Sequence, residues 1–289
     1  MGFEPGFVGK RGKELISGLQ QETTTMNISR SSRKDRKRSK KGQFPVQTLF
    51  ETCKEVFSNG GVGFIPPPLD VDRLRSVLDS LKPEDVGLSP EMPYFRATKN
   101  GRAPAITYLH LYEGDKFSMG IFCLPPASVI PLHNHPGMTV FSKLLFGTMH
   151  IKSYDWVNDV PSIPAPTTKT SRTDTSLTGE MRLAKLKVNA DFVAPCNTSI
   201  LYPTAGGNMH CFTAVTACAV LDVLGPPYSD PDGRHCAYYL EHPFHRFSVD
   251  GLSISENEKE EYAWLQERDK PRDLTVVGAL YRGPKIIDC

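Results

Sequence analysis

Two histidines one residue apart, His133 and His135, stand in Pro131-Leu-His-Asn-His-Pro-Gly137. A third, His210, follows 75 residues after His135, in Leu201-Tyr-Pro-Thr-Ala-Gly-Gly-Asn-Met-His210. On a strand, positions i and i+2 share a face, so the first pair would present both imidazoles to one side. Pro131, Asn134, Pro136 and Gly137 crowd that pair and place it at a strand end entering a tight turn. His210 again follows a turn that leads into a strand. Three neutral imidazoles converging from two strands would hold a divalent metal and leave positions open for substrate, as a catalytic centre requires. A bare His-x-His is a permissive motif that also describes unrelated surface histidines, so the flanking chain has to supply the frame.

That frame reads as short strands. Ile106–Tyr112, Phe117–Leu124, Val140–Phe146, Thr148–Tyr154 and Ala217–Leu224 are apolar runs separated by Gly and Pro punctuation. Strands at such spacing without intervening helices argue for an antiparallel sandwich or barrel. Ahead of them, Val46, Leu49, Phe50, Cys53, Val56 and Phe57 recur on one helical face, closed by Gly60-Gly61. Pro66-Pro67-Pro68 precedes a second short helix over about 70–81, with Val71, Leu74, Val77, Leu78 and Leu81 inward. Asn158–Gly179 is rich in Pro, Ser and Thr and reads as a mobile surface loop. Glu256–Lys270 is charged, with Tyr262, Trp264 and Leu265 as its anchors, and suggests a surface helix or an extended cover over the barrel.

Charge and cysteine usage exclude several function classes. The net charge of +2 hides a run, Arg30 to Lys41, with eight basic residues and one acidic; without that +7 the remainder carries −5. Residues 1–42 are polar, lack periodicity and read as a disordered basic tail; 43–289 read as one domain. The tail resembles a nuclear localisation signal, which points to nucleus and cytoplasm. It has no interleaved aromatics and the folded part no basic face, so direct nucleic-acid binding is not expected. No apolar run approaches a membrane span, and the N-terminus lacks a signal-length apolar core. Gly2 is followed by Gly6 where a myristoylation signal needs Ser or Thr. Seven cysteines (53, 123, 196, 211, 218, 236 and 289) without CxxC spacing read as reduced thiols, several in core strands.

Short strands carrying His-x-His and a lone downstream His resemble a cupin, a double-stranded β-helix or jelly-roll barrel. The first cupin motif expects His-x-His, three or four residues, a Glu, six residues and a Gly. Here His133-Asn-His135 is followed by Pro136-Gly-Met-Thr, then Val140 where the carboxylate would stand, then six residues to Gly147. Pro203, Gly206-Gly207 and His210 match the second motif more loosely. An all-histidine site leaves a divalent iron with its full +2 charge, unlike the triad of two histidines and one carboxylate. Such a site favours an anionic ligand, and thiol dioxygenases use this arrangement.

The closer resemblance is to the plant cysteine oxidases, kin to the animal cysteamine dioxygenase. It rests on Pro131–Gly147, Met149–Trp156, Gly206–His210, Asp222-Val-Leu-Gly-Pro-Pro-Tyr228 and Gly233-Arg-His-Cys-Ala-Tyr-Tyr239, and covers about residues 45–250. It implies Fe(II)- and O2-dependent oxidation of a protein's N-terminal cysteine to sulfinic acid, both oxygen atoms ending on sulfur. The product would mark the client for the N-degron pathway, and the reaction would report oxygen supply. Clients would be proteins with an exposed N-terminal cysteine, transcription factors among them, and the enzyme a monomer. His133, His135 and His210 would be the iron ligands. Asp222, buried in an apolar run, needs a partner and could orient the substrate amine or a water at the metal; an anchor for a structural network is its other reading. Tyr228 could donate a hydrogen bond to bound oxygen or sulfur. Cys236 and Tyr238 form a pair similar to one crosslinked in the animal relative, although burial accounts for both equally well. The remaining histidines (110, 150, 235, 242 and 245) read as structural. A small-thiol dioxygenase acting on cysteamine or free cysteine, a nuclear cupin-fold binding module, and a zinc or manganese cupin are the alternatives. A fixed Arg in the pocket would favour free cysteine.

Overall fold

Helix α1 (Pro45–Val56) begins at a proline, whose missing N–H costs nothing in a first turn where that donor has no partner anyway. It buries Val46, Leu49, Phe50, Thr52, Cys53 and Val56. Helix α2 (Pro68–Ser80) starts the same way: the last of the three prolines, expected to precede the helix, forms its first residue. A computed structural model describes residues 44–97, 104–165, 179–247 and 254–288. The basic tail and positions 166–178 of the expected loop lie outside the described residues.

The strands are β1 (Ile106–Glu113), β2 (Ser118–Leu124), β3 (Val129–His133), β4 (Thr139–Phe146), β5 (Thr148–Trp156), β6 (Ile163–Pro164), β7 (Glu180–Val193), β8 (Ser199–Leu201), β9 (Met209–Ala214), β10 (Cys218–Gly225), β11 (Tyr238–Pro243), β12 (Tyr262–Arg268) and β13 (Val276–Ala279). They form two sheets ordered β13-β1-β2-β10-β4-β8 and β12-β11-β3-β9-β5-β7-β6. Strand β12 pairs with β11 on one side and β7 on the other, which closes the second sheet into a ring. This is the double-stranded β-helix of a cupin, with the helices on one outer face. Within the expected loop, Ile163–Pro164 pairs with Met181 and Glu180.

Two cores hold the layers. Alternation along β10 sends Ala219, Leu221 and Val223 outward, where they join Phe50, Phe57, Leu74 and Leu78 of the helical segment and Met119 and Ile121 of β2. Phe57 is fully buried and packs edge-on to Phe141 and stacked with Phe117; truncating it to Ala should cost about 3–5 kcal/mol. Between the sheets, Ile106, Leu124, Leu144 and Val220 meet Ile130, Met149, Ile151 and Phe212.

The C-terminal segment differs from its sequence reading. It is a short 3-10 turn (Glu256–Glu261) followed by β12, and Trp264 is fully buried between Leu183 and Met181. Ala263, Trp264, Leu265 and Gln266 are buried in succession, so this strand is neither a surface helix nor a cover but part of the ring.

A candidate metal centre in the barrel

The three histidines meet on the face of the second sheet that looks towards the first. His133 ends β3 and lies opposite His210 of β9 in register. Between Ile130 and His133 the register slips by one residue, a β-bulge at Pro131–Leu132. The slip matters because strand alternation would otherwise put Ile130 and Leu132 on the same face. Instead Ile130 and His133 both line the cavity, while Leu132 packs on the other side with Tyr154 and Met209. His135 is no longer on the strand. It sits in the following turn, which Gly137 closes at φ 66°, so shared strand facing does not explain the pair.

One nitrogen from each ring lies within 4.8 Å of the others, with all three residues buried. His133 Nδ1 lies 2.8 Å from the Pro131 carbonyl oxygen and His135 Nδ1 lies 2.9 Å from that of Asn208. A carbonyl only accepts, so each Nδ1 carries the proton and each Nε2 keeps its lone pair. Burial pushes His133 down to about 4 and His135 down to about 3, the latter helped by His133 beside it; carbonyl contacts oppose this and lose. His210 is held well below its ordinary value by burial and then by its two neighbours. Three neutral, preoriented imidazoles are the donor set a divalent transition metal needs, and the residues present fit such an ion. Val140, at the carboxylate position of the cupin motif, is buried against Met138 and Leu201 and contributes no ligand.

Backbone clamps hold this geometry. Asn208 Oδ1 accepts from the His135 N–H at 3.1 Å, and its Nδ2 donates to the His135 and Tyr202 carbonyls at 2.9 and 2.8 Å. The Asp155 carboxylate accepts from the backbone N–H groups of Gly206, Gly207 and Asn208 at 3.0, 2.8 and 3.0 Å, fixing the turn before His210. Gly207 has φ 85°, and a Cβ there would lie 2.3 Å from Ser153 Oγ, so only glycine serves. Neither Asn208 nor Asp155 stood out by type or spacing in the sequence.

Opposite the triad, the other sheet presents a polar row. Asp222 of β10 lies in register between Gly120 of β2 and Ser142 of β4; Gly120 in turn faces His110, and Ser142 faces Ser199. Asp222 is 6% exposed, and its Oδ1 has no hydrogen-bond partner among the described residues. Burial raises its carboxyl to about 7, against a hydrogen bond from Ser142. The cavity of about 330 Å³ between the two walls is lined by the three histidines together with Tyr108, Asp222 and Tyr228. His110, read as structural, is on its wall; the other late histidines are not. Glu113 and Asp230 also line it, whereas no Lys or Arg does among the described residues.

Tyr228 lines the cavity with the three histidines. Its Oη donates to the Asn134 carbonyl at 2.7 Å, in the middle of the His-Asn-His turn, and its ring lies 5.8 Å from that of His135. In this arrangement the hydroxyl supports the His-Asn-His turn. Cys236 is buried between Tyr228 and Tyr238 and hydrogen-bonds to both, so its contact with Tyr238 is not exclusive. Cys53, Cys123 and Cys218 are buried and Cys196 and Cys211 half-buried; all are free thiols.

A family model described as PCO_ADO matches residues 77–286. Plant cysteine oxidase 2 of Arabidopsis thaliana is 57% identical over 99% of this chain and 99% of its own. Plant cysteine oxidase 1 of the same plant is 64% identical over 84% of this chain and 80% of its own. The 2-aminoethanethiol dioxygenase of Homo sapiens is 31% identical over 76% of this chain and 82% of its own. Among solved structures, a protein with a double-stranded β-helix domain from Klebsiella pneumoniae matches at TM-score 0.27 and 14% identity, over 46% of this chain and 84% of its own.

Proposed function

Because the chain belongs to the PCO_ADO family, we propose that it is a thiol dioxygenase that uses Fe(II) and O2 to oxidise the N-terminal cysteine of client proteins to sulfinic acid. The observation that carries this reading is a buried triad of neutral imidazoles with Val140 in the carboxylate position, facing a cavity lined by carboxylates and, among the described residues, by no cation. His133 and His135 would hold the iron through Nε2, and His210 through a ring nitrogen. Iron bound there would supply the redox chemistry that joins the substrate thiolate and O2. The reaction balances as RSH + O2 → RSO2H, with four electrons leaving sulfur and no outside reductant.

The chain's own residues set the rest. The three neutral rings add no charge, so a thiolate would be the first anionic ligand of the metal. Asp222 receives the substrate's ammonium, which satisfies its unpartnered Oδ1 and offsets the cost of burying it. Tyr228 holds the His-Asn-His turn through Asn134 rather than touching the thiol. A free amino acid would bring its carboxylate among Asp222, Glu113 and Asp230, and no cation among the described residues lines the cavity to meet it, so this lining disfavours free cysteine. It does not disfavour cysteamine, which carries the amine without the carboxylate, and that substrate is the second reading.

The sulfinate product would mark the client for N-degron turnover, making this enzyme an oxygen sensor in nucleus and cytoplasm, with the Arg30–Lys41 run as its nuclear address. Mass spectrometry of a Cys-initiating peptide incubated with iron-loaded protein in air tests the core of the proposal. A gain of two oxygen atoms on the peptide but not on free cysteine is expected. Oxidation of free cysteine alone would overturn it. His210→Ala should abolish both iron retention and oxidation; a cellular effect that survives this change would instead identify a binding module.

A further inference from the structure

The polar row opposite the triad has a member that the mechanism above does not use. Tyr108 stands on β1 one pair beyond His110, and its ring leans across Gly120 of β2 towards the strand that carries Asp222. The approach is close. A Cβ on Gly120 would lie 2.3 Å from Tyr108 Oη and 2.4 Å from a ring carbon, so any side chain at 120 would evict the ring. Glycine in a strand interior weakens the strand and often marks a place where another group must approach closely. Here that group is a phenol hydroxyl.

The hydroxyl is built into the cavity but tied to nothing. Tyr108 lines the same space as the three histidines, Gly120 and Asp222. Its ring is fixed by contact with Phe122, centroids 5.0 Å apart. Tyr108 is half-buried, and no group among the described residues hydrogen-bonds to its Oη, which leaves the hydroxyl open to the cavity. Two carboxylates that line the same cavity act on it electrostatically, Glu113 and the buried Asp222. The neighbouring Asp222 Oδ1 is unpartnered as well. Two adjacent polar groups without partners on one wall, under a negative potential, call for a ligand group with several donors and a positive charge. An ammonium has three N–H donors and one positive charge.

We infer that Tyr108 is a substrate-binding residue of this centre: its hydroxyl, held over Gly120 between Asp222 and Glu113, accepts a hydrogen bond from the ammonium group of the thiol substrate. The inference rests on the thiol-dioxygenase reading above and adds a second reader of the amine beside Asp222. Gly120 is the residue that makes room for it. Together they make the cavity recognise a free amino end rather than a thiol alone.

Two peptides separate the possibilities: a Cys-initiating peptide, and the same peptide with hydrogen in place of its α-amine (a 3-mercaptopropionyl peptide). Full-length, iron-loaded wild type, Tyr108→Phe and Gly120→Ala are assayed on both, with calorimetric binding measured without O2. Tyr108→Phe keeps the ring and drops only the hydroxyl. A hydrogen bond to a charged group predicts on the order of a 10-fold loss in affinity and in kcat/KM for the amine peptide, mainly through KM. The des-amino peptide should change by less than about twofold. Gly120→Ala should show the same selective loss while keeping the hydroxyl. Equal losses on both peptides, or no loss on either, would overturn the inference. A wild type that binds both peptides but oxidises neither would overturn the dioxygenase reading instead, and the binding ratio would still decide the role of Tyr108.

Discussion

Asn208 grips His135 from both sides: its amide accepts from the His135 N–H and donates to the His135 carbonyl, and its own carbonyl receives the ring Nδ1–H at 2.9 Å. One residue thus fixes both the backbone and the tautomer of a ligand 73 positions away. Replacing Asn208 with Ala removes the two amide contacts and leaves the ring bond to the main chain. Metal affinity should fall roughly 10- to 100-fold, the usual effect of losing a residue that orients a ligand. Competition with a chelator of known affinity checks this; an unchanged affinity would place the control elsewhere.

Asp155 makes a different kind of support. Its carboxylate collects three backbone N–H groups of the Gly-Gly-Asn turn, and its side chain is 13% exposed. Asp155→Ala should destabilise the fold by about 2–3 kcal/mol, since hydrogen bonds to a charged group are each worth more than neutral ones. It should also loosen His210, so urea unfolding and metal content should drop together.

Acid should act on the metal-free protein in a defined window. The imidazoles of an unfolded chain take up protons below about pH 6.5, while buried His133 and His135 resist until about 4 and about 3. The unfolded state then binds more protons, so their contribution is full above the unfolded value and is lost as pH falls towards the folded ones.

Asp222 has the opposite sign. Burial raises its folded carboxyl from the ordinary 3.8 to about 7, so its contribution is present below 3.8 and is lost as pH rises through about 7. Asp222→Asn removes that dependence. The variant's stability relative to wild type should therefore rise with pH across this interval, by roughly 1.4 kcal/mol at most for each pH unit. Urea midpoints in a pH series on chelated protein measure it, and a flat difference would refute the buried, raised carboxyl.

Lys143 ties the helical layer to the barrel. It is buried on β4, donates to the Cys196 carbonyl at 2.6 Å and pairs with Asp79 of α2 at 3.1 Å. Burial would raise Asp79, but hydrogen bonds from Thr198 and then Lys143 outweigh it and hold the carboxyl low. Lys143→Ala should cost about 1–3 kcal/mol, less than a fully buried pair because Asp79 keeps some solvent. Thermal unfolding with the Asp79→Asn partner in a double-mutant cycle would show whether the pair accounts for it.

The triad and the sheet architecture were legible in the sequence because residue type, turn punctuation and short apolar runs are local signals. The reason His133 and His135 converge was not. A one-residue bulge at Pro131–Leu132 and a grip by Asn208 replace the shared strand face that spacing suggested. Tyr228 was legible as a site residue but its proton was not, since the acceptor, Asn134, lies 94 positions away. Tyr108 and Gly120 gave no signal, for their meaning arises only when β1 and β2 lie side by side. Strand β12 was missed because four successive buried residues between charged flanks have no period of two.

His133 faces His210 across β3 and β9, strands whose ligands are 77 positions apart. During synthesis, the first two imidazoles leave the ribosome long before the third, and the β3–β9 ladder that aligns them forms only after the intervening β8 has been made. A partly made chain therefore has two-thirds of a metal site and no closed cavity. The three-imidazole cluster is thus a property of the completed sheet and of no local segment of the chain.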